Sequence, residues 1–349
     1  MWYPLLRQLL FLLPPETVHY MSMDMLQKAC SIPWMRKRIA ASFQLKHPKL
    51  EKELFGLHFP NPVGLGAGFD KNALYLPELE ALGFGSVEIG TVTPLPQPGN
   101  DMPRLFRLPA SRALINRMGF NNNGVLAIRA RLERWQNLKN KEGYKMIVGG
   151  NIGKNKVTAN EDAWKDYTRC YDELADVVDY FTINVSSPNT PGLRALQEKD
   201  ALQKIISAVQ ERNSQRATPR PILLKIAPDQ PEGAWQDIAD LAVSLQLSGL
   251  VVSNTTIDRS MLSQESQKKA EAMGAGGLSG LPVREKATDA VRRMHSLTGG
   301  QIPIIASGGI FTAADAREKL DAGAEMVQVW TGFVYEGPGI ASKICRLFI

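Results

Sequence analysis

The sequence has few cysteines and histidines, and their spacing excludes the common metal and disulfide patterns. Its three cysteines, Cys30, Cys170 and Cys345, stand far apart and form no CxxC pair. A disulfide framework or a thiolate zinc site is therefore not expected, and a reducing compartment is favoured. The four histidines show no HxxxH spacing. We therefore predict that the protein holds no metal.

Two glycine-rich nucleotide motifs are also missing. Gly64-Leu-Gly66-Ala-Gly68 is followed by Phe69, which stands where GxGxxG requires its third glycine. Gly153-Lys154 does not complete a P-loop, because Val148 and Asn155 occupy the other required positions. These absences disfavour a dinucleotide-binding fold and a P-loop nucleotidase.

Long apolar runs and a strong charge of one sign are absent as well. The run Leu9–Leu13 ends at Pro14-Pro15 without a small-residue cleavage site, and it is well short of the roughly 20 residues that span a bilayer. The formal net charge is +6 over 349 residues, and residues 1–48 carry +4 of it. A uniformly basic nucleic-acid-binding protein does not show this distribution, so no nucleic-acid partner is expected.

The first 48 residues form a segment of their own, rich in leucine, methionine and basic side chains. A helix is predicted from Pro15-Glu16, because proline suits the first turn and an acid suits the positive end of the helix dipole. Apolar residues near helical spacing follow, before and after a break at Ile32–Trp34: Val18, Met21, Met25, Leu26, Cys30, Met35, Ile39 and Ala40. Two or three short amphipathic helices are expected. They are either helices in a membrane interface or a cap packed on the main domain.

After residue 60 the chain alternates between short apolar runs and amphipathic stretches. Such runs predict parallel strands buried on both faces, and the stripes Val125–Trp135 and Trp235–Leu245 predict helices between them. The predicted strands are Val63–Ala67, Ser86–Val92, Met146–Asn151, Phe181–Val185, Ile222–Ile226, Leu250–Ser253, Ile304–Ser307 and Met326–Trp330. Eight such units predict an α/β fold, a (β/α)8 TIM barrel. A doubly wound sheet is the weaker alternative.

The predicted carboxyl ends of the strands carry asparagines, lysines, hydroxyl groups and glycines, with few carboxylates. Functional residues lie at these ends in a TIM barrel. The shortage of acids disfavours glycoside hydrolysis, and the amides and lysines favour a planar, anionic ligand. Gly308-Gly309, with Thr312 as a predicted helix N-cap, and Thr331-Gly332 follow the last two strands, where this fold usually binds phosphate. Tight turns are the alternative role of these glycines.

Five motifs make the sequence recognisable: Asn116-Arg-Met-Gly-Phe-Asn-Asn122, Asn184-Val-Ser-Ser-Pro-Asn-Thr-Pro-Gly192, Lys225-Ile-Ala-Pro-Asp229, Asn254-Thr-Thr256 and Gly276-Gly-Leu-Ser-Gly280. Their order and spacing closely resemble class 2 dihydroorotate dehydrogenase, the membrane-associated, quinone-dependent, FMN-containing enzyme of pyrimidine biosynthesis. The match runs from about residue 1 to the C-terminus. The resemblance implies oxidation of (S)-dihydroorotate to orotate. It also implies a helical membrane and quinone-access segment at 1–45 before an FMN-binding barrel at 46–349.

The resemblance also implies a position for each ligand. FMN is expected against Ala67, Gly68, Phe69, Asp70, Lys71, Thr91, Asn151, Asn184, Lys225, Ser253, Gly280, Gly309, Trp330 and Thr331, with its phosphate at Gly309 and Trp330-Thr331. Dihydroorotate is expected at Lys71, Asn116, Arg117, Met118, Gly119, Phe120, Asn184, Asn189, Asn254 and Thr255. Ser187 falls on the catalytic base, whereas the soluble class 1 enzymes have cysteine there and lack the N-terminal segment. His19 and Arg107 fall on quinone contacts.

These roles agree with the chemistry, which removes a proton from one carbon and a hydride from its neighbour. FMN takes the hydride, so the protein supplies the base, the orientation and the charge stabilisation. Lys71 suits the substrate carboxylate, and Lys225 suits negative charge on reduced flavin, with a salt-bridged barrel lysine as its alternative role. Ser187 is a poor base by itself and needs a partner or a water route.

Three positions differ from the commoner family pattern: Ser253 replaces threonine, Trp330 replaces tyrosine and Thr331 replaces serine. The first and third keep a hydroxyl group, so we expect FMN binding to be retained. Trp330 lies near the expected quinone channel and is predicted to alter quinone preference.

The expected partners are dihydroorotate or orotate, a membrane quinone and an anionic membrane surface, with a monomeric chain. Trp2, Leu9, Phe11 and Leu13 are predicted to face lipid, and Arg36–Arg38 to face the head groups. The absence of an Arg- and Ser-rich transit pattern favours a peripheral protein on the cytoplasmic side of the bacterial inner membrane. Two alternatives stay open: an FMN barrel that acts on another heterocycle or hydroxy acid, and a non-catalytic membrane-surface module.

Overall fold

Residues 3–190 and 192–349 are described by a computed structural model of the chain. The described strands are β1 (Lys52–Leu54), β2 (Leu57–Phe59), β3 (Val63–Leu65), β4 (Ser86–Val92), β5 (Leu105–Leu108), β6 (Ala113–Asn116), β7 (Ile147–Ile152), β8 (Tyr180–Asn184), β9 (Ile222–Ile226), β10 (Gly249–Val252), β11 (Gly277–Gly280), β12 (Ile304–Ser307) and β13 (Met326–Val329). The described helices are α1 (Tyr3–Leu10), α2 (Pro15–Cys30), α3 (Pro33–Phe43), α4 (Leu76–Ala81), α5 (Val125–Glu142), α6 (Ala163–Leu174), α7 (Lys199–Ser214), α8 (Glu232–Ser244), α9 (Gln264–Met273), α10 (Arg284–Leu297), α11 (Ala313–Asp321), α12 (Thr331–Glu336) and α13 (Ile340–Cys345).

Parallel strands close into a barrel in the order β10-β12-β13-β3-β4-β7-β8-β9. Every residue of these eight strands is buried, as continuous apolar runs predict for strands covered on both faces. The strand ends lie within two residues of the predicted ones. The TIM barrel is therefore confirmed, and the doubly wound sheet is excluded.

The two ends of the barrel are covered differently. The antiparallel hairpin β1–β2 contributes Leu54, Leu57 and Phe59 to an apolar cluster with the first residues of several barrel strands, including Ile147 and Tyr180. At the opposite end, β5, β6 and β11 form an antiparallel sheet. Because the hairpin fills the amino end with apolar side chains, access to the barrel is from the carboxyl end.

The N-terminal segment folds into α1, α2 and α3, and α2 begins at Pro15 as predicted. Besides apolar packing by Met23 and Phe43, its contacts with the barrel include specific hydrogen bonds and ion pairs. Arg104 donates from Nε and Nη2 to the two carboxylate oxygens of Glu16 at 3.1 and 2.8 Å. Tyr75 donates from its hydroxyl to Asp24 at 2.7 Å, and Arg36 donates to Glu142 at 2.5 Å. The segment therefore packs on the barrel, as the cap interpretation requires.

Large apolar side chains nevertheless remain on the outer surface of this segment. The most exposed are Leu12 at 81%, Leu5 at 68%, Leu9 and Met25 at 65% and Trp34 at 62%. Met25 lies roughly 200° around α2 from the buried Met23. It therefore faces outward, although its sequence spacing grouped it with the apolar residues of the buried face. Over residues 3–190 and 192–349, each helix is too short or too polar to cross a bilayer.

Two residues expected at the membrane face are placed elsewhere. Phe11 packs against Tyr335, with ring centroids 5.4 Å apart, and the Arg107 guanidinium lies 4.4 Å from its ring centre. Arg36 is held by Glu142, whereas Lys37 and Arg38 are exposed. The predictions for Phe11 and Arg36 were therefore wrong, because the turn after α1 directs Phe11, and α3 directs Arg36, toward the barrel. Trp2 lies outside the described residues.

Candidate active site

The carboxyl ends of the barrel strands open into a cavity of about 480 Å³ that continues to the N-terminal helices. Its polar wall includes Lys71, Thr91, Asn116, Asn184, Ser187, Asn189, Lys225, Ser253, Asn254 and Thr255. Its apolar wall includes Leu6, Leu10, Met23, Leu26, Ile39, Phe43 and Leu82. One continuous space therefore joins the strand ends to the inner surfaces of α1, α2 and α3.

A hydrogen-bonded group of three side chains joins the ends of β4, β7 and β8. Thr91 Oγ1 donates to Asn151 Oδ1 at 2.5 Å. Asn184 Nδ2 donates to Thr91 Oγ1 at 2.9 Å and to Asn151 Oδ1 at 3.0 Å. Thr91 and Asn184 reach the cavity wall, and Asn151 lies behind them. These hydrogen bonds fix the orientation of the Asn151 and Asn184 amides, because the Asn151 oxygen accepts and the Asn184 nitrogen donates.

Two lysines bring positive charge to this cavity. Lys225 is buried, and its ammonium lies 3.9 Å from Glu88 Oε1. Burial lowers the pKa of Lys225, and the Glu88 carboxylate opposes that decrease. Burial lowers the pKa of Lys71 to about 8, since only the carboxylates of Glu16 and Asp70 oppose it. In the part of the chain that the structure describes, the Lys71 ammonium has no hydrogen-bond or ion-pair partner.

Ser187 lies on the loop after β8, where its buried side chain lines the cavity. Its Oγ accepts a hydrogen bond from the backbone N–H of Asn189 at 3.2 Å. Asn189 in turn donates from Nδ2 to Asn116 Oδ1 at 3.0 Å, which ties this loop to β6. The hydroxyl of Ser187 is therefore held by its own loop, with its proton free to point into the cavity.

The neighbouring loops add further amide and hydroxyl groups. Asn254 donates from Nδ2 to Ser186 Oγ at 2.9 Å and accepts from the N–H of Thr255 at 2.8 Å. Thr255 Oγ1 is buried and has no hydrogen-bond partner within residues 3–190 and 192–349. An unpartnered buried hydroxyl in a cavity wall indicates a position where a ligand would complete the hydrogen bonding.

Some residues expected at the site do not line the cavity. The Arg117 side chain turns away to the end of α9, where it donates to Ala275 O at 3.0 Å. Asp70 accepts from the N–H groups of Leu74 and Tyr75 at 2.9 and 2.8 Å, and so shapes the loop that carries Lys71. The other members of the expected loop, Met118, Gly119 and Phe120, do line the cavity.

Two glycines with left-handed backbone conformations form one end of the cavity. Gly308 and Gly309 have φ values of 117° and 72°, and a Cβ at Gly309 would lie 2.3 Å from Arg284 Cα. These glycines line the cavity together with Gly280, Trp330 and Thr331. Successive N–H groups in such turns form a concave anion site.

The predicted N-cap of α11 is confirmed, but it is already paired. Thr312 and Asp315 form a capping box, in which Asp315 Oδ2 accepts from the N–H groups of Phe311 and Thr312 at 3.0 and 2.9 Å. The Asp315 carboxylate therefore occupies the N–H groups of Phe311 and Thr312, which directly precede α11.

The opposite end of the cavity contains His19 and Arg107, which are far apart in sequence but both line its wall. Burial, followed by the charge of Lys71, lowers the pKa of His19 to about 4, so the ring is neutral at pH 7. Its ring centre lies 4.7 Å from that of Phe69. Arg107 donates to Leu13 O at 2.6 Å, and its buried Nε has no partner within the described ranges.

A family model named Dihydroorotate dehydrogenase matches residues 49–348. The chain belongs to this family. Among relatives named "Dihydroorotate dehydrogenase (quinone)", the one from Christiangramia forsetii is 48% identical over 99% of this chain and 97% of its own length. The one from a Cyanothece species is 49% identical over 89% of this chain and 82% of its own length.

Solved structures of the family agree with the fold. The crystal structure of DHODH in complex with ferulenol from Eimeria tenella superposes with a TM-score of 0.86 at 38% identity, covering 95% of this chain and 90% of that one. The ligand-free DHODH from the same organism superposes with a TM-score of 0.83 at 39% identity, covering 93% of this chain and 92% of that one. Because these structures cover 93–95% of the chain, the likeness extends beyond the barrel into the N-terminal helices.

Sequence reasoning missed two carboxylates around this family's site. Glu88 lies fully buried in the middle of β4, and its signal was a lone charge within an otherwise apolar strand. Asp229 accepts from Arg194 Nη1 and Nη2, both at 3.3 Å, and pairs with Lys286 at 2.9 Å. Asp229 closes the motif Lys225–Asp229, but the sequence did not show that it connects the loops after β8 and β9.

Proposed function

We propose that the protein oxidises (S)-dihydroorotate to orotate in pyrimidine biosynthesis, with FMN as prosthetic group and a membrane quinone as electron acceptor. The observation that carries this proposal is the single cavity with two chemically different ends. One end presents amides, Ser187 and two lysines, and the other is apolar and lies beneath α1–α3. A polar substrate could enter at the first end and an apolar electron acceptor at the second, and both would reach the same bound flavin.

The residues at the strand ends fit FMN. Lys225 is a buried cation without a hydrogen bond in the described part of the chain, and Gly308-Gly309 exposes backbone donors for a phosphate. The group would be held by Ala67, Gly68, Phe69, Lys71, Thr91, Asn184, Lys225, Ser253, Gly280, Gly309, Trp330 and Thr331, with Asp70 and Asn151 behind them. When bound, FMN supplies the acceptor for the substrate's hydride.

Dihydroorotate fits between Lys71 and the loop of Ser187. The unpaired ammonium of Lys71 matches the substrate carboxylate, and the ring amides find both donors and acceptors among Asn116, Asn184, Asn189, Asn254 and Thr255. Ser187 Oγ would accept the proton from substrate carbon while its own hydroxyl proton passes to water, and the N–H of Asn189 holds this oxygen at the cavity wall. Arg117–Phe120 would contribute through backbone and the Phe120 side chain.

The helical end suits a quinone. Its wall is mostly apolar, and His19 and Arg107 place polar groups along it. A neutral His19 can donate to or accept from a quinone or quinol oxygen, and the free Nε–H of Arg107 can donate. Residues 1–45 would thus form the quinone-access segment, and residues 46–349 the FMN barrel.

The outer surface of the same segment suits a bilayer. Leu5, Leu9, Leu12, Leu13 and Trp34 are exposed, and the basic residues Lys37 and Arg38 are exposed on α3. Apolar side chains beside cations are the pattern of helices that lie in an anionic membrane interface. We place the protein as a peripheral monomer on the cytoplasmic side of a bacterial inner membrane.

The test is an anaerobic absorbance titration of the purified protein. The parent should be yellow, dihydroorotate should bleach it, and a long-chain quinone in liposomes should restore the colour. Bleaching by another heterocycle or hydroxy acid instead of dihydroorotate would identify a different FMN barrel. A colourless protein that still binds liposomes would support the non-catalytic membrane module and overturn the proposal.

A further inference from the structure

Glu88 is a buried carboxylate directly behind the cavity wall. It lies in the middle of β4 and is fully buried. Asn151 Nδ2 donates to its Oε1 at 2.7 Å, and Thr182 Oγ1 and Gln328 Nε2 donate to its Oε2 at 3.1 and 3.0 Å. A carboxylate is costly to bury, so three donors around it indicate a site built to keep a negative charge.

The charge opposite Glu88 is Lys225. Its ammonium lies 3.9 Å from Glu88 Oε1, and across the described residues Glu88 is its one ion-pair partner. Tyr180 is a further titratable group that interacts with Glu88, and burial raises the pKa of Tyr180 well above its usual range, so it stays neutral. The Lys225 charge therefore depends on Glu88, because burial alone favours the neutral amine.

Glu88 also orients a second group in the wall. Because Asn151 Nδ2 points to Glu88, its Oδ1 faces forward and accepts from Thr91 and Asn184. Exchanging the two atoms of the Asn151 amide would place an N–H group against two donors. The Glu88 carboxylate thus stabilises the charge of the Lys225 ammonium on β9 and sets the orientation of the Asn151 amide on β7.

We propose that Glu88 is a positioning residue that holds the Lys225 ammonium and the Asn151 amide against the bound flavin, and thereby raises the flavin's reduction potential. This inference rests on the proposed function, because it requires a flavin beside Lys225. A held positive charge stabilises the anionic reduced flavin more than the neutral oxidised one.

The decisive variant is Glu88→Gln, which keeps the side chain's shape and an acceptor for Asn151 but removes the charge. The midpoint potential of the bound flavin, measured by spectroelectrochemical titration from pH 6 to 9, should fall. We expect a shift of at least tenfold in the reduction equilibrium, which is about 30 mV for a two-electron couple. The difference from the parent potential should increase with pH, because Lys225 loses its proton at a lower pH when residue 88 is an uncharged glutamine.

Two further variants separate charge from packing. Glu78→Gln removes another buried carboxylate, on α4 and away from the cavity wall, and should keep the parent potential. Glu88→Asp keeps the charge and should retain the parent pH profile. Equal potentials for Glu88→Gln and the parent, or equal shifts for Glu88→Gln and Glu88→Asp, would overturn the inference.

A double variant keeps the test decisive if Glu88→Gln alone does not fold. Removing both members of a buried ion pair is tolerated better than removing one. If Glu88 acts through Lys225, the pair Glu88→Gln/Lys225→Gln should have a potential no lower than Lys225→Gln alone. A further tenfold decrease in the double variant would contradict the inference. A parent protein without flavin would instead contradict the proposed function.

Discussion

The two ends of the cavity differ in how their walls are held in place. At the strand ends, the Asn184 amide alone makes hydrogen bonds to Thr91, Asn151 and Ser186. At the helical end, Leu10 and Phe43 line the wall through contacts that have no preferred direction. Hydrogen-bonded walls reject molecules whose polar atoms are misplaced, whereas apolar walls tolerate changes that keep volume. The first end is suited to one polar substrate, and the second to a family of apolar molecules.

The largest expected effect comes from the polar end. Ser187→Ala should slow flavin reduction by dihydroorotate by at least ~100-fold, the usual scale for losing a general base, while flavin content stays normal. Stopped-flow single-turnover absorbance measures the step directly. Ser22→Ala makes the same change at the helical end of the cavity and should leave this half-reaction unchanged. Near-parent reduction by Ser187→Ala would remove Ser187 from the base role.

The pH dependence of substrate capture should report Lys71. Its pKa of about 8 lies below the ordinary lysine value, so the ammonium is present below pH 8 and is lost as pH rises through it. The kcat/KM for dihydroorotate should then fall by up to about tenfold per pH unit above 8. Lys71→Arg should move this decrease beyond the assay range, because arginine keeps its charge. The same decrease in Lys71→Arg would assign the titration to another group.

The apolar end is tested by charging its outer surface. Leu9→Glu/Leu12→Glu alters two exposed side chains, so the fold should be kept while binding to anionic liposomes falls by roughly tenfold or more. Reduction of long-chain quinone in liposomes should fall with it, and bleaching by dihydroorotate should not. This variant is cleaner than deleting residues 1–40, because α2 holds the loop before Tyr75 through Asp24.

The control for this experiment is Leu126→Glu/Val157→Glu, which adds the same charge at exposed apolar positions of the barrel. It should keep the parent liposome binding. Equal losses in the two double variants would show that net charge, rather than the N-terminal surface, governs the interaction.

The smallest expected effect concerns the contact between the N-terminal helices and α4 of the barrel. Burial raises the pKa of Glu78 to about 7, and Glu78 interacts with Cys30 and Arg36 of the N-terminal helices. The folded state therefore binds its proton more tightly than the unfolded state, so stability is lost as pH rises from about 4.5 to 7. Glutamine cannot lose a proton, so Glu78→Gln should not lose this stability. The free energy of unfolding of Glu78→Gln minus that of the parent should therefore be about 1–2 kcal/mol larger at pH 8 than at pH 5. Chemical denaturation at both pH values measures this, and a constant difference would contradict it.

The barrel could be predicted from sequence because each strand carries its own signal. Runs such as Val63–Leu65 are apolar on both faces, and they can be recognised without knowledge of the neighbouring strands. The clustering of Asn184, Lys225 and Asn254 also followed, since the ends of parallel strands meet at one edge. What each side chain contacts did not follow. The role of Glu88 became visible only when the fold placed β4 beside β7 and brought Lys225 of the non-adjacent strand β9 within 3.9 Å.

The faces of the N-terminal helices were the least predictable part. Phe11 and Leu12 are neighbours of similar hydrophobicity, yet one packs on Arg107 and the other is exposed to solvent. Periodicity gives a helix an apolar stripe but not the identity of the surface that covers it. Arg36 is likewise indistinguishable from Lys37 and Arg38 in sequence, and only the position of Glu142 separates them.

The contact between α1 and α12 joins opposite ends of the chain. Tyr3 donates from its hydroxyl to Val334 O at 2.7 Å, across a separation of 331 residues, and its ring lies where a Cβ at Gly337 would stand. During synthesis at roughly 5–20 residues per second, α1 therefore waits about 17–66 seconds for this partner. Throughout that interval Leu6 and Leu10 have no barrel to pack against, so the nascent chain exposes apolar side chains that later line the cavity. The ribosome-bound chain is thus the form in which both the inner and the outer apolar side chains of this segment are open to solvent.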